Sequence, residues 1–171
     1  NDARRQRQMC IRDRLEKYPK NLVLNTTKVE FLSYFNKFND ALDLANKFLE
    51  ISPKNYPLSI SKSQILLNMG QYFESEEIIR DQLLRKNDSP ELWFMLSETQ
   101  KTSQNIVGYH QSRAEYFLLL GQDEKALNQL EFALQLTQNN FQVSDRIMTK
   151  IIEIKKSLQN LSEDNSYEEI D

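Results

Sequence analysis

A chain of 171 residues with 27% charged and 39% hydrophobic side chains, 22 basic against 25 acidic, has the balance of a single globular domain. It contains no run of about 18 apolar residues, so no segment is built to cross a membrane as a helix. Three Gly and four Pro are few for a β-rich fold. One Cys and one His leave no internal disulfide and no pair of imidazoles to share a metal.

In chain order, residues 4–13 (RRQRQMCIRD) resemble the conceptual translation of a transposon sequencing adaptor, and Arg14 fits its last bases. Residues 1–14 are therefore expected to be a disordered scar, set apart from fold reasoning, on a natural chain open at its N-terminus. The competing reading is a basic arm for nucleic acid. The segment holds five Arg and two Asp, so the remainder carries 17 basic against 23 acidic residues. The basic arm then loses its support, and no nucleic-acid partner is expected.

Residues 15–18 read as the tail of an upstream helix that Pro19 ends. Asn21 can cap a helix reaching to about Tyr34, and residues 38–51 form its partner, with Ala41, Leu44, Ala45, Phe48 and Leu49 at spacings of three and four. The next hairpin spans roughly 58–69 and 72–85, with Pro57 in its first turn. Ser89 and Pro90 are the N-cap and first residue of a helix over 90–101, followed by one over about 105–120. Gly121 suits a left-handed helix end, and Asp123 an N-cap, for a helix reaching Leu136. Phe141, Val143, Ile147, Ile151, Ile154 and Leu158 line one face of a last helix. From Ser162 the segment SEDNSYEEID is acidic and lacks apolar periodicity, so residues 162–171 are expected to be a disordered tail.

The hairpins repeat. The turns at Asn36 and Gly70 are 34 residues apart, each followed five residues later by a small side chain, Ala41 or Ser75. Pro19 and Pro53 share that period, and Trp93 with Leu96 continues it. A period of 34 with these residues is the tetratricopeptide-repeat pattern. It decays where Ser97 stands for Gly and Gln100 for Tyr. The turn at Gly121, with Ala126 after it, lies 51 residues beyond Gly70, a period and a half. That offset is read as helix 105–120 serving two hairpins at once. The expected fold is all-α, an α-solenoid of about 3.5–4 tetratricopeptide-like hairpins over residues 15–161, with the last helix as a C-terminal cap.

Chemistry is sparse. His110 alone cannot build a zinc site of the H-E-x-x-H type, no G-x-S-x-G offers a serine nucleophile, and three scattered glycines make no phosphate loop. Glu74, Glu76 and Glu77 read as solvated, and the aromatics Phe35, Phe38, Tyr72, Phe73, Tyr116 and Phe117 as core. The chain is expected not to be an enzyme and to hold no cofactor. What remains is the groove lined by the first helix of each hairpin. Carrying the phase across gives Thr26, Glu30 and Ser33, then Ile60, Gln64 and Leu67, then Phe94, Glu98 and Lys101, and last Gln111, Glu115 and Leu118. The set is mixed and mildly acidic.

Residues 108–136, GYHQSRAEYFLLLGQ running into KALNQLEFALQL, followed by a polar loop and FQVSDRIMTKIIEIKK, resemble the C-terminal repeat region of bacterial M48-family metalloproteases, in their periplasmic, barrel-assembly-enhancing branch. The resemblance covers 15–161. It implies a zinc protease domain upstream, absent from this chain, so that no catalytic or metal-binding role transfers and zinc is expected only there. It also implies a periplasmic location and protein partners, the outer-membrane barrel assembly machinery and its client barrels. The alternative is a stand-alone repeat scaffold with no protease attached.

Overall fold

Three helix starts in this chain are written in the same way. Asn21, Asn55 and Ser89, spaced 34 residues apart, each accept the backbone N–H three residues on, from Leu24 (3.0 Å), Leu58 (3.0 Å) and Leu92 (3.4 Å). The computed structural model describes residues 6, 9, 10, 13, 14, 16–137 and 139–168. Among the described residues after Pro19 are eight helices and no strand: α1 (Leu22–Tyr34), α2 (Phe38–Ile51), α3 (Tyr56–Asn68), α4 (Tyr72–Leu83), α5 (Pro90–Thr102), α6 (Ile106–Leu119), α7 (Asp123–Leu136) and α8 (Phe141–Glu168). The all-α, tetratricopeptide-like class expected from the sequence is the class observed.

Four turns close with one geometry. Asn36 (φ 58°), Gly70 (φ 78°), Gln104 (φ 63°) and Gly121 (φ 66°) are left-handed. The residue after each donates back to the carbonyl five positions earlier: Lys37 to Leu32 (2.9 Å), Gln71 to Leu66 (2.9 Å), Asn105 to Gln100 (2.8 Å) and Gln122 to Phe117 (2.9 Å). This is the Schellman arrangement, which satisfies the last carbonyls of the helix.

These turns correct the repeat phase. Left-handed residues fall at 36, 70 and 104, and the third is Gln104, not Gly121. First helices start at Leu22, Tyr56, Pro90 and Asp123, and second helices at Phe38, Tyr72, Ile106 and Phe141. No half-period offset exists. α6 is a second helix, α7 opens a fourth hairpin, and the helix expected to be a cap occupies the place of that hairpin's second helix. Gln122, whose side chain accepts from Lys125 Nζ (3.0 Å) and not from a backbone amide of the first turn, is the N-cap of α7, and Asp123 is its first helical residue.

Two boundaries also differ from expectation. α8 continues past Ser162 to Glu168, where a disordered tail was expected. No Gly or Pro interrupts residues 141–168. Residues 169–171 lie outside the described set. Of residues 1–14, the described Gln6, Met9, Cys10, Asp13 and Arg14 are helical and exposed. The rest of that expected scar, and Leu15 after it, lies outside the described residues.

The chain divides into residues 1–82 and 83–171. In the first unit Val29, Ala41, Ala45, Phe48, Leu58 and Ile65 form a core among α1, α2 and α3. Ala41 and Ala45 are fully buried, which lets the helices approach closely. Ser75 takes the equivalent small position on α4. Its hydroxyl donates to the Ser63 carbonyl (2.9 Å) and lies 3.1 Å from the Ser63 hydroxyl. Phe35 and Phe73 were expected in the core but are exposed, Phe73 at 71%. Phe35 is the C-cap residue after α1, and Phe73 lies on the side of α4 opposite buried Ser75 and Ile79.

In the second unit Ala114, Ala126, Leu130, Ala133, Ile147, Ile151 and Ile154 bury a seam among α6, α7 and α8. The α5–α6 contact is polar by comparison. Ser112 Oγ donates to Gln100 Oε1 (2.7 Å), and both residues are buried. A Cβ on Gly108 would fall 2.6 Å from Asn105 Nδ2 and 2.8 Å from Gln100 Nε2. Gln100 and Gly108 thus do by hydrogen bonding and close approach what an aromatic and an alanine do in the standard repeat. At the start of α5, Trp93 Nε1 donates to the Asn87 carbonyl (2.8 Å), and Ser89 Oγ donates to Glu91 Oε2 (2.8 Å).

Gly108→Ala is expected to destabilise by about 1–3 kcal/mol through overpacking, less the few tenths to 1 kcal/mol gained from helix propensity. Gly121→Ala meets no atom within 4 Å but must hold φ 66°, at about 1–2 kcal/mol. Urea unfolding of both variants checks the two values. The hydrogen bond from Ser89, with the Glu91 backbone amide, holds the Glu91 carboxyl below its ordinary value. The folded value lies below the unfolded one, so the contribution is present at neutral pH and fades as pH falls through the folded value. In Ser89→Ala the Glu91 titration should move back up, as read by NMR, and the lost N-cap should cost about 0.5–2 kcal/mol.

Candidate functional site: the aromatic and basic face of α5, α6 and α7

The solvent-facing side of α5 carries Phe94, Glu98 and Lys101 at spacings of four and three, because Leu92, Leu96, Thr99 and Gln100 turn the opposite side inward. Second helix α6 presents Tyr109, Arg113, Tyr116 and Phe117 beside them. The two helices meet through rings and cations. Phe94 and Tyr116 lie 5.5 Å apart between ring centroids, and Lys101 Nζ stands 5.9 Å from the Tyr109 ring. On the far side α7 adds Lys125, whose Nζ is 5.7 Å from the Phe117 ring, and Phe132, whose ring is 5.5 Å from His110. His110 Nδ1 lies 2.8 Å from Gln129 Oε1, which orients the imidazole between Tyr109 and Phe132.

Arg113 is the centre of this network. Its guanidinium carbon lies 4.8 Å from the Phe94 ring, 5.0 Å from Tyr116 and 5.3 Å from Phe117. Each ring presents negative π-density to the cation, a contact worth about 0.5–2 kcal/mol depending on desolvation. Nη1 is buried without a hydrogen-bond acceptor. The neighbouring carboxylate, Glu98 Oε1, is 3.8 Å away, near enough to neutralise charge but too far for a hydrogen bond. The side chain as a whole keeps 22% of its surface exposed, while Nη1 itself is buried. Within these contacts three cations, Lys101, Arg113 and Lys125, stand against one carboxylate.

The twelve expected groove residues do not form one set. On α5, Phe94, Glu98 and Lys101 are gathered as expected. Gln111, Glu115 and Leu118 are not, because α6 is a second helix and those residues sit on its other side. Glu115 Oε1 is ion-paired with Lys150 of α8 at 2.5 Å, and Leu118 packs on the core. In residues 1–82, Thr26 is only 8% exposed and donates to the Leu22 carbonyl (2.9 Å), so it cannot meet a partner. Glu30, Ser33, Ile60, Gln64 and Leu67 remain accessible on α1 and α3, where Gln64 Nε2 bonds only Asn68 Oδ1 (3.4 Å).

Tyr109, Arg113, Lys125 and Phe132, which join these contacts, are not among the residues expected from the sequence. A signal was there, since Tyr109, Arg113 and Tyr116 follow one another at four and three along the same face as Phe94, Glu98 and Lys101 on α5. Among the described residues no group of three or more His, Cys, Asp or Glu is placed to hold a metal ion, and no helix is long and apolar enough to cross a membrane.

No family model matches the chain. A curated relative, interferon-induced protein with tetratricopeptide repeats 3 of Mus musculus, is 24% identical over 163 residues, covering 94% of this chain and 36% of that protein. The chain therefore spans little more than a third of that relative. Among solved structures, MamA (residues 41 to the end) of Desulfovibrio magneticus RS-1 superposes with a TM-score of 0.58 at 12% identity, covering 86% of this chain and 82% of MamA. YrrB, described as a TPR protein with an unusual peptide-binding site, superposes with a TM-score of 0.53 at 15% identity, covering 85% and 92%. At these identities the likeness establishes the fold, that of tetratricopeptide-repeat proteins.

Proposed function

We propose that this chain is a protein-interaction module that takes an acidic segment of a partner polypeptide on the face of α5, α6 and α7. The observation that carries the reading is Arg113, a cation fixed among three rings with a buried N–H that has no acceptor. Leaving such a donor unsatisfied costs about 1–3 kcal/mol, and a partner carboxylate that draws the guanidinium outward into a charge-assisted bond relieves that cost. Phe94 and Phe132 stay partly exposed on either side and supply apolar contact area. Arginine and aromatic side chains are the residue types on which binding energy concentrates. The peptide-binding site named for YrrB supports the same use of this fold.

A finer proposal is that the module belongs to a periplasmic M48-family zinc metalloprotease and holds outer-membrane barrel assembly machinery or client barrels. Its support is the resemblance of residues 108–136. The competing proposal is a stand-alone repeat scaffold. An H-E-x-x-H helix encoded upstream in the same reading frame supports the protease parent, and a frame without one supports the scaffold.

Binding is tested with fluorescein-labelled peptides that alternate Glu with Tyr or Leu, and with their Gln counterparts, by anisotropy. The acidic peptide should bind at least tenfold more tightly than the Gln peptide, and less tightly as salt rises. Arg113→Ala should lose roughly 10- to 150-fold, the equivalent of a charged hydrogen bond of about 1.5–3 kcal/mol, and Arg113→Lys should recover only part. Circular dichroism verifies that the variants fold. Equal affinity for the acidic and Gln peptides overturns the reading.

A further inference from the structure

We infer that α8 carries an interface for a second copy of this chain, paired antiparallel to itself. α8 has two apolar faces. Ile147, Ile151 and Ile154 are buried against α6 and α7, and Lys150 and Lys155 hold Glu115 and Glu131 on those same helices. The other face carries Phe141, Met148 and Ile152, exposed at 81%, 49% and 59%. Single exposed apolar residues are ordinary, but spacings of seven and four put these three on one line along the helix.

The charges beside that line identify the occupant. Asp145 lies between Phe141 and Met148, and Lys156 lies one turn beyond Ile152. Both are exposed and on the same flank of the stripe. Place a two-fold axis midway between Met148 and Ile152 with the partner helix running the opposite way. Met148 then faces the partner's Ile152, and Ile152 the partner's Met148. A two-fold axis of this kind keeps each flank on its own side, so Asp145 meets the partner's Lys156 and Lys156 the partner's Asp145. The pattern is self-complementary, as an isologous contact requires.

In a parallel pair these opposite charges lie eleven residues apart along the axis, about 16 Å, and do not meet. The antiparallel sense also continues the order within this unit, where α6, α7 and α8 run alternately up and down. One helix-on-helix contact is small, so the dimer is a weak, reversible one at the low end of specific interfaces.

The experiment uses the full chain in sedimentation velocity from about 1 to 200 µM, a range chosen for weak interfaces. Wild type should show reversible monomer–dimer exchange, and Met148→Glu should be monomeric with unchanged helicity. Asp145→Lys and Lys156→Asp should each weaken association about tenfold, since like charges then face each other twice. An equimolar mixture of these two variants should associate like wild type, because each pairs its changed residue with the other's. The double variant Asp145→Lys/Lys156→Asp should do the same. A wild type that stays monomeric throughout overturns the inference. So does a dimer indifferent to both single charge changes, or a mixture that fails to restore association.

Discussion

Everything in this chain rests on how closely neighbouring helices can approach at a few small residues. Ala41, Ser75, Gly108 and Ala126 are all buried, one at the start of each of α2, α4, α6 and α7. A helix placed over such a position can bring its own apolar row into contact without displacing a side chain. Where the small residue is polar or absent, hydrogen bonds take up the work, as with Ser63 and Ser75 or with Gln100 and Ser112. The left-handed turns then set the angle at which each helix re-enters.

The arrangement of the α5–α6–α7 face follows from that packing. Gly108 draws α6 tightly onto α5, which brings Arg113 within reach of Phe94 and Glu98. The guanidinium is then ordered by rings and not by hydrogen bonds. Dispersion and quadrupole attraction hold its position while its donor capacity stays unspent. A guanidinium locked in a bidentate ion pair would offer an incoming carboxylate much less.

Apart from the end of α8, the helices themselves were legible to within about two residues, because caps and apolar spacing are local signals. The phase was not. Gly70 and Gly121 both announce left-handed helix ends, and both are left-handed, but Gln104 is too and carries no compositional mark. Aligning Gly121 with Gly70 skipped that turn and made α6 a first helix as well as a second. One misassigned turn rotated the choice of residues on α6 by about half the helix, to Gln111, Glu115 and Leu118 in place of Tyr109, Arg113 and Tyr116. On α5, where Ser89 and Pro90 fixed the start, Phe94, Glu98 and Lys101 do share the exposed side. Thr26 failed for a different reason: its hydroxyl is satisfied by its own helix, which periodicity does not reveal. The helical course of α8 beyond Ser162 was likewise hidden, because an acidic composition says nothing about where a backbone breaks.

The indole bond from Trp93 to the Asn87 carbonyl gives this molecule an internal reporter. It is the sole tryptophan in the chain, and it lies at the first turn of α5, within residues 83–171. Its emission follows the hydration of that turn alone, whereas far-ultraviolet dichroism averages over every helix. Where the two signals coincide during unfolding, both units melt as one cooperative species. Where the fluorescence moves separately, the transition of residues 83–171 is resolved from that of residues 1–82 without any label.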